Sequence, residues 1–256
     1  SSRRRHTRYG TVTGVQTCAL PISSLLIGAR LRMARDNSPK IRQQAQLIRK
    51  LNKRSSYDRI LIVSEGSKTE PLYFKEIRAA YRLNTANVEV QPSALGTEPL
   101  QVVQYARDLF KQGDSHRRIA KRAFEQVYAV FDRDDHKTYY QALDLARSLD
   151  GKLRSDEKQP VVFRAVTSIP SFELWLLLHF EDIQHWLHRD NVMRRLKKHI
   201  SDYEKGSDDC FKKTRNTLDI ARERARRLAQ RSTAYDDTEP YTAVFELVDL
   251  LVNLER

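Results

Sequence analysis

The sequence predicts an α/β protein with an open, mainly parallel four-stranded sheet, flanking helices and a helical C-terminal region. The first observation is the apolar run Ile-Leu-Ile-Val at 60–63, which suits a strand buried on both faces of a parallel sheet. The second is the alternation of strand-like and helix-like segments that follows it. Such alternation favours parallel strands joined by right-handed crossover helices.

The elements of this core, residues 57–182, follow from short apolar runs and from apolar residues at helical spacing. Strands are predicted at 60–63, 88–91, 126–131 and 161–167. Helices are predicted at 69–82, 99–111 and 138–149, with a short one within 170–180. Thr69 can cap the first helix, and Pro71 suits its first turn.

The remaining residues, 183–256, are predicted to form a helical region packed on the core. Its helices are expected at 191–199, 212–231 and 241–254. The second of these has an apolar stripe at three- and four-residue spacing, and its other faces carry Arg222, Arg226 and Arg227. We interpret these arginines either as a solvated face or as a nucleic-acid-binding surface.

Residues 12–22, VTGVQTCALPI, resemble the translation of a common sequencing-library adapter. We therefore predict that residues 1–32 are an artefactual leader and that Met33 is the natural start. The alternative is a signal peptide, with arginines at 3–5 placed before the apolar stretch at 25–29.

The charge of the chain favours a polyanionic partner. The net charge is +13, and residues 1–32 carry six arginines and no acid, which leaves +7 from Met33 onward. A basic protein attracts nucleic acid through its summed field. Residues 33–56 form a basic arm, which we interpret either as solvated or as contacting nucleic acid or a partner protein.

Two features of the composition predict a cytoplasmic protein without membrane association. No apolar stretch approaches the ~20 residues that a spanning helix needs. Cys18 lies in the predicted leader, so Cys210 is the one cysteine of the remaining chain. A single cysteine allows no internal disulfide and fits a reducing compartment.

Carboxylates follow two of the predicted strands. Glu65 comes directly after the first strand, and Asp132, Asp134 and Asp135 come directly after the third. The carboxyl ends of parallel strands share one edge of the sheet, and ligands bind along that edge in open α/β folds. Because hard cations take oxygen ligands, we predict a site for Mg²⁺ (or Mn²⁺) here.

Other residues near this edge are open to two interpretations. Glu173 lies in the first turn of the short helix, where a glutamate often only complements the helix dipole, or it joins the carboxylates if that helix starts at the same edge. Lys68 (as a catalytic residue) and Arg133 are predicted to steady a phosphate, although each would also suit a surface ion pair. His136 is a candidate for proton transfer or simply a hydrogen-bonded neighbour.

A glutamate after the first strand and an Asp-x-Asp after a later one resemble the pattern of the TOPRIM domain. The chain as a whole resembles the RloB family. The matching segments are ILIVSEGSKTEPLYF (60–74), VFDRDDH (130–136), SIPSFELWLLLHF (168–180) and EPYTAVFELVDLL (239–251). Four motifs in order, at suitable spacing, are more specific than any one of them.

This resemblance implies a TOPRIM-like bacterial protein of phage-defence or restriction-associated loci. Related TOPRIM effectors that are paired with an ABC-type ATPase are metal-dependent nucleases held in check by that ATPase. The resemblance implies that Glu65 is a metal ligand or general acid–base, that Asp132 and Asp134 are a metal pair, and that Glu173 is a fourth carboxylate. Glu70 resembles a second glutamate of related nucleases, at a spacing one residue longer.

Two classes of function remain open. The first is a nuclease acting on DNA or RNA, including tRNA. The second is a non-catalytic nucleic-acid-binding or regulatory subunit of a defence complex, in which the acid cluster is a remnant. A P-loop motif and zinc-ligand spacing are both absent from the sequence. The oligomeric state, a homodimer included, stays open.

Overall fold

Five strands form one sheet in the computed structural model, which describes residues 58–133, 137–236 and 239–254. The strands are β1 (Ile60–Ser64), β2 (Val88–Pro92), β3 (Gln126–Asp132), β4 (Val162–Ile169) and β5 (Tyr241–Thr242). Their order across the sheet is β2-β1-β3-β4-β5. The first four strands run parallel, and β5 pairs antiparallel with β4. The predicted fold class, a mainly parallel α/β sheet with flanking helices, is confirmed.

Helices cover the sheet and continue beyond its last parallel strand. They are α1 (Thr69–Ala80), α2 (Pro99–Gln112), α3 (Tyr139–Leu149), α4 (Glu173–Leu178), α5 (Arg189–His199), α6 (Cys210–Thr214), α7 (Leu218–Arg231) and α8 (Val244–Asn253). Within the described ranges, no helix combines the length and the apolar character needed to cross a membrane.

β1 is buried along its whole length between two layers of apolar side chains. Ile60 and Ile62 point to one face of the sheet and Leu61 and Val63 to the other, because successive side chains of a strand alternate. The first face packs against α1, α4 and the helices from α5 to α8. The second face packs against α2 and α3. The uninterrupted apolar run therefore reflects burial on both faces, as predicted.

The prediction of four strands was wrong by one. The predicted closing helix at 241–254 begins only at Val244, because Tyr241 and Thr242 pair with the end of β4. The hydroxyls of Thr242 and Ser168 lie 3.0 Å apart and hydrogen-bond in the buried interface. Two residues are too few to show the alternation by which a strand is recognised in a sequence.

The predicted single helix at 212–231 is also broken. A 3₁₀ turn at Arg215–Thr217 separates α6 from α7. The Thr214 hydroxyl donates to the Cys210 carbonyl at 2.7 Å, and the Thr217 hydroxyl donates to the Thr214 carbonyl at 3.0 Å. Threonine hydroxyls that bond back to the preceding turn compete with the helical backbone and often bend it.

Parts of the chain named in the sequence predictions lie outside the described residues. They are the predicted leader at 1–32, the predicted basic arm at 33–56 and the segment 134–136 after β3. Predictions about them stay predictions, and so does the domain division at residue 182.

Candidate carboxylate site

Four carboxylates meet at the carboxyl edge of the parallel strands. Glu65 follows β1, Asp132 ends β3, and Glu173 begins α4 just after β4. Glu70 reaches the same place from the first turn of α1. Asp132, Glu173 and Glu70 are buried, and Glu65 is half-buried. Three of the four predicted metal ligands are therefore brought together with Glu70.

Glu65 is tied to the end of β3. Its backbone N–H donates to the Val130 carbonyl at 2.8 Å, which extends the parallel pairing of β1 and β3 by one residue. Its side-chain Oε2 accepts from the backbone N–H of Asp132 at 3.0 Å. The Glu65 carboxylate is thus held directly against the residue that carries the second predicted ligand.

Burial and mutual repulsion act on Asp132. Burial raises its pKa well above the usual range, and the negative charges of Glu70, Glu173 and Glu65 raise it further. A hydrogen bond from the Phe172 backbone opposes this rise. The loop before α4 therefore supplies a donor to the same carboxylate.

Glu70 is less completely hydrogen-bonded than Glu173. Burial, followed by the charges of Glu173 and Glu65, raises its pKa to about 7, and a hydrogen bond from its own backbone N–H and the charge of Lys205 oppose this rise. Its Oε2 is buried and has no hydrogen-bond partner. The carboxylate lies over Gly66, where a Cβ atom would overlap it. The glycine of the β1–α1 turn therefore makes room for a buried and incompletely satisfied carboxylate.

Glu173 has a neutral donor on each oxygen. The Ser171 hydroxyl donates to Oε2 at 2.7 Å, and the Tyr203 hydroxyl donates to Oε1 at 3.2 Å. The Nζ atom of Lys205 lies 4.0 Å from Oε1. Burial and the nearby Glu173 charge raise the pKa of Tyr203, which keeps its hydroxyl protonated as a donor. The repulsion that Glu173 exerts on Glu70 and Asp132 places it in the carboxylate group as well as in the first turn of α4.

Of the other predicted site residues, the structure describes Lys68 and Arg133. Lys68 immediately precedes α1, and its stem packs against Gly206. The Arg133 guanidinium lies 5.9 Å from the ring centre of Tyr139 and 5.7 Å from that of Tyr140. Asp134, Asp135 and His136 lie outside the described residues, so the second aspartate of the predicted metal pair is not placed.

The arginines predicted to bind nucleic acid lie in ion pairs within the chain. Arg222 pairs with Asp249 of α8, and Arg226 pairs with the same carboxylate. Arg227 lies 3.1 Å from Asp182. Their role in binding nucleic acid stays a prediction, and the structure gives them a second role in joining α7 to its neighbours.

The residue types of the site suit a hard divalent cation, but the described side chains are not arranged around a single ion. Carboxylate oxygens are the ligands that Mg²⁺ takes, and one buried oxygen of Glu70 has no partner. Yet among the described residues no three acidic, histidine or cysteine side chains are arranged to hold one ion together. Glu65 and Glu173 also accept hydrogen bonds from protein donors, which leaves each oxygen a lone pair for a cation. The described side chains alone therefore do not form a complete cation site.

Sequence reasoning missed the contribution of the C-terminal region. Tyr203 and Lys205 both approach Glu173, and the Gly206 N–H donates to the Thr69 hydroxyl at 2.9 Å. These residues lie far along the chain from Glu65, in a loop with no strand or motif nearby. A polar Tyr-x-Lys-Gly in a loop carries no signal that would assign it to the site.

Comparison with known proteins gives one family. The family model described as RloB-like protein matches residues 60–251, well over half of the chain. No curated protein and no solved structure matches the chain. The matched range contains all four carboxylates of the site together with Tyr203 and Lys205. The chain therefore belongs to the RloB-like family.

Proposed function

We propose that this protein is a Mg²⁺-dependent (or Mn²⁺-dependent) nuclease that hydrolyses phosphodiester bonds of DNA or RNA. The observation that carries the proposal is the convergence of Glu65, Glu70, Asp132 and Glu173, with one oxygen of Glu70 buried and unpartnered. Buried acids without a compensating charge are costly. A divalent cation would offset their repulsion and would use the oxygen ligands that the site offers.

The ligands in this proposal are Glu65, Asp132, Asp134 and Glu173, with Glu70 as a further candidate. A bound divalent cation supplies charge neutralisation at the scissile phosphate and lowers the pKa of water. Glu65, which stands at the end of β1 and is half-buried, accepts the proton of the attacking water. Lys68, exposed at the start of α1, orients a phosphate oxygen by its positive charge.

The proposed biological setting follows from the family and its motifs. Family membership together with the TOPRIM-like motif pattern supports a role as an effector in bacterial anti-phage, abortive-infection or restriction-associated defence. The same resemblance supports control by an ABC-type ATPase. Co-purification with an ATPase encoded beside this gene tests that partnership separately from cleavage.

The experiment that tests the proposal is a nuclease assay on DNA, total RNA and tRNA with Mg²⁺ or Mn²⁺, with and without the ATPase. We expect cleavage by the wild type and a loss of about 10²-fold or more in Glu65→Gln, which keeps the shape and removes the charge. Glu223→Gln, on an exposed face of α7, is the matched control and should cleave normally. Full cleavage by Glu65→Gln would refute the assignment. Nucleic-acid binding without cleavage in every condition would favour the non-catalytic binding subunit instead.

A further inference from the structure

The segment from Tyr203 to Lys212 lies across the turn between β1 and α1. The Gly206 N–H donates to the Thr69 hydroxyl at 2.9 Å at one end of the segment. At the other end the backbone N–H groups of Phe211 and Lys212 donate to Glu76 Oε2 at 2.9 and 3.2 Å. The segment is thus fixed to α1 at two points, which determines where the residues between them can reach.

Gly206 allows a close approach that another residue would prevent. Its φ is +89°, a conformation that favours glycine. A Cβ atom at this position would lie 2.6 Å from Lys68 Cδ and 2.7 Å from Lys68 Cβ. Because Gly206 has no side chain, the stem of Lys68 packs directly on the loop. The loop that carries Lys205 and the turn that carries Lys68 therefore meet at the rim of the carboxylate group.

Tyr203 is buried beside Glu173 and contacts its carboxylate. Its side chain is 1% exposed, and its hydroxyl donates to Glu173 Oε1. Ser171 holds the other oxygen. With a donor on each oxygen, the plane of the Glu173 carboxylate is defined before any ligand arrives. Donors behind a metal-binding carboxylate commonly change metal affinity about 10- to 100-fold when they are removed.

Lys205 is placed differently from Tyr203. Its ammonium lies 4.0 Å from Glu173, beyond hydrogen-bonding distance, and its side chain is 56% exposed. Since the two oxygens of Glu173 already accept hydrogen bonds, the lysine is not needed to satisfy them. An exposed ammonium at the rim of the carboxylate group can turn toward an anion that approaches from solvent.

We propose that this loop of the C-terminal region completes the site, with Tyr203 positioning Glu173 and Lys205 binding a backbone phosphate of the nucleic-acid substrate. The proposal rests on the proposed nuclease function. It adds that the site is shared between the α/β core and the helical region, so the core alone lacks a substrate-binding residue.

The test of Tyr203 is Mn²⁺ affinity of the full chain, measured from the electron paramagnetic resonance signal of the free ion. Tyr203→Phe removes only the hydroxyl, and we expect the affinity to fall about tenfold. Tyr73→Phe is the matched control, because it also removes one buried tyrosine hydroxyl, which accepts from Trp175 Nε1 in the same core rather than donating to Glu173. Equal affinity in Tyr203→Phe and wild type would overturn the positioning role.

The test of Lys205 is the salt dependence of binding to short single-stranded DNA and RNA, in Ca²⁺ to prevent cleavage. Each phosphate contact adds about 0.7 to the slope of log affinity against log salt for single strands. Lys205→Met should lower the slope by about that amount, whereas Lys212→Met, 79% exposed on the same segment, should not. An unchanged slope in Lys205→Met overturns the phosphate contact while the nuclease proposal stands. A wild type that binds neither Mn²⁺ nor nucleic acid overturns both.

Discussion

At the scale of single residues, the site consists of four carboxylates whose negative charges repel one another. Glu65 and Asp132 could be predicted because each stands at the carboxyl end of a predicted strand, and parallel strands bring those ends to one edge. Glu173 stayed open between a helix-dipole role and the carboxylate group, because it lies in the first turn of the helix after the fourth strand. Glu70 could be named but not placed, because its contribution depends on the close approach over Gly66. Tyr203 and Lys205 could not be predicted, because the loop that carries them is brought in by tertiary packing.

Glu70 gives a pH prediction for the metal-free protein. Its pKa in the folded state, about 7, lies above the usual value of 4.5, so the folded protein holds a proton that the unfolded chain releases. The resulting stability is complete below about pH 4.5 and is lost as the pH rises through 7. At pH 8 the loss is about 3 kcal/mol, at 1.36 kcal/mol for each pKa unit.

Glu70→Gln should therefore make the free energy of unfolding less dependent on pH between 4.5 and 8. Denaturant unfolding at several pH values, in the presence of a chelator, measures this change. Some dependence should remain, because the pKa of Asp132 is also raised. Glu223→Gln should behave as the wild type does. If Glu70→Gln shows the wild-type pH profile, burial and the neighbouring acids do not raise the pKa of Glu70.

At the scale of elements, the sheet determines which side chains meet. The parallel register pairs Ser64 with Val130 and Asp132 with Ser168, so β1, β3 and β4 end at nearly the same level. The apolar runs and helical spacing were enough to predict these strands and the helices between them. They did not predict β5, which has two residues, or the break before α7, which depends on threonine hydroxyls bonding to the backbone.

The arginines of α7 give a prediction about this element. The Arg222 side chain is 17% exposed and pairs with Asp249, which Arg226 also contacts. We expect Arg222→Gln to lower the free energy of unfolding by about 1 kcal/mol, because it leaves a partly buried carboxylate with one partner fewer. Thermal or denaturant unfolding measures this loss.

The nucleic-acid salt slope of Arg222→Gln separates the two interpretations of this helix. If the residue only joins α7 to α8, the slope stays at the wild-type value. A slope lower by about 0.7 or more would show a phosphate contact, as first expected from the arginine-rich sequence. Arg227→Gln is a useful companion, since its side chain is 45% exposed and more accessible to a ligand.

At the scale of the whole molecule, the α/β core and the C-terminal helices share one apolar cluster on the first face of the sheet. The same packing carries the loop of Tyr203 and Lys205 to the carboxylates. The net positive charge suits a nucleic-acid partner, but the local charge of the site is negative. A bound divalent cation would reconcile these two facts, because it would let a phosphate approach four acids.

The most direct test of this view is Mn²⁺ binding to the metal-free full chain, followed by the signal of the free ion and by competition with Mg²⁺. We expect saturable binding at micromolar to millimolar concentration. Asp132→Asn should weaken it at least about tenfold while the protein still melts cooperatively. Absence of binding by the wild type, or the same affinity in Asp132→Asn, would contradict the assignment of these four carboxylates as a divalent-cation site.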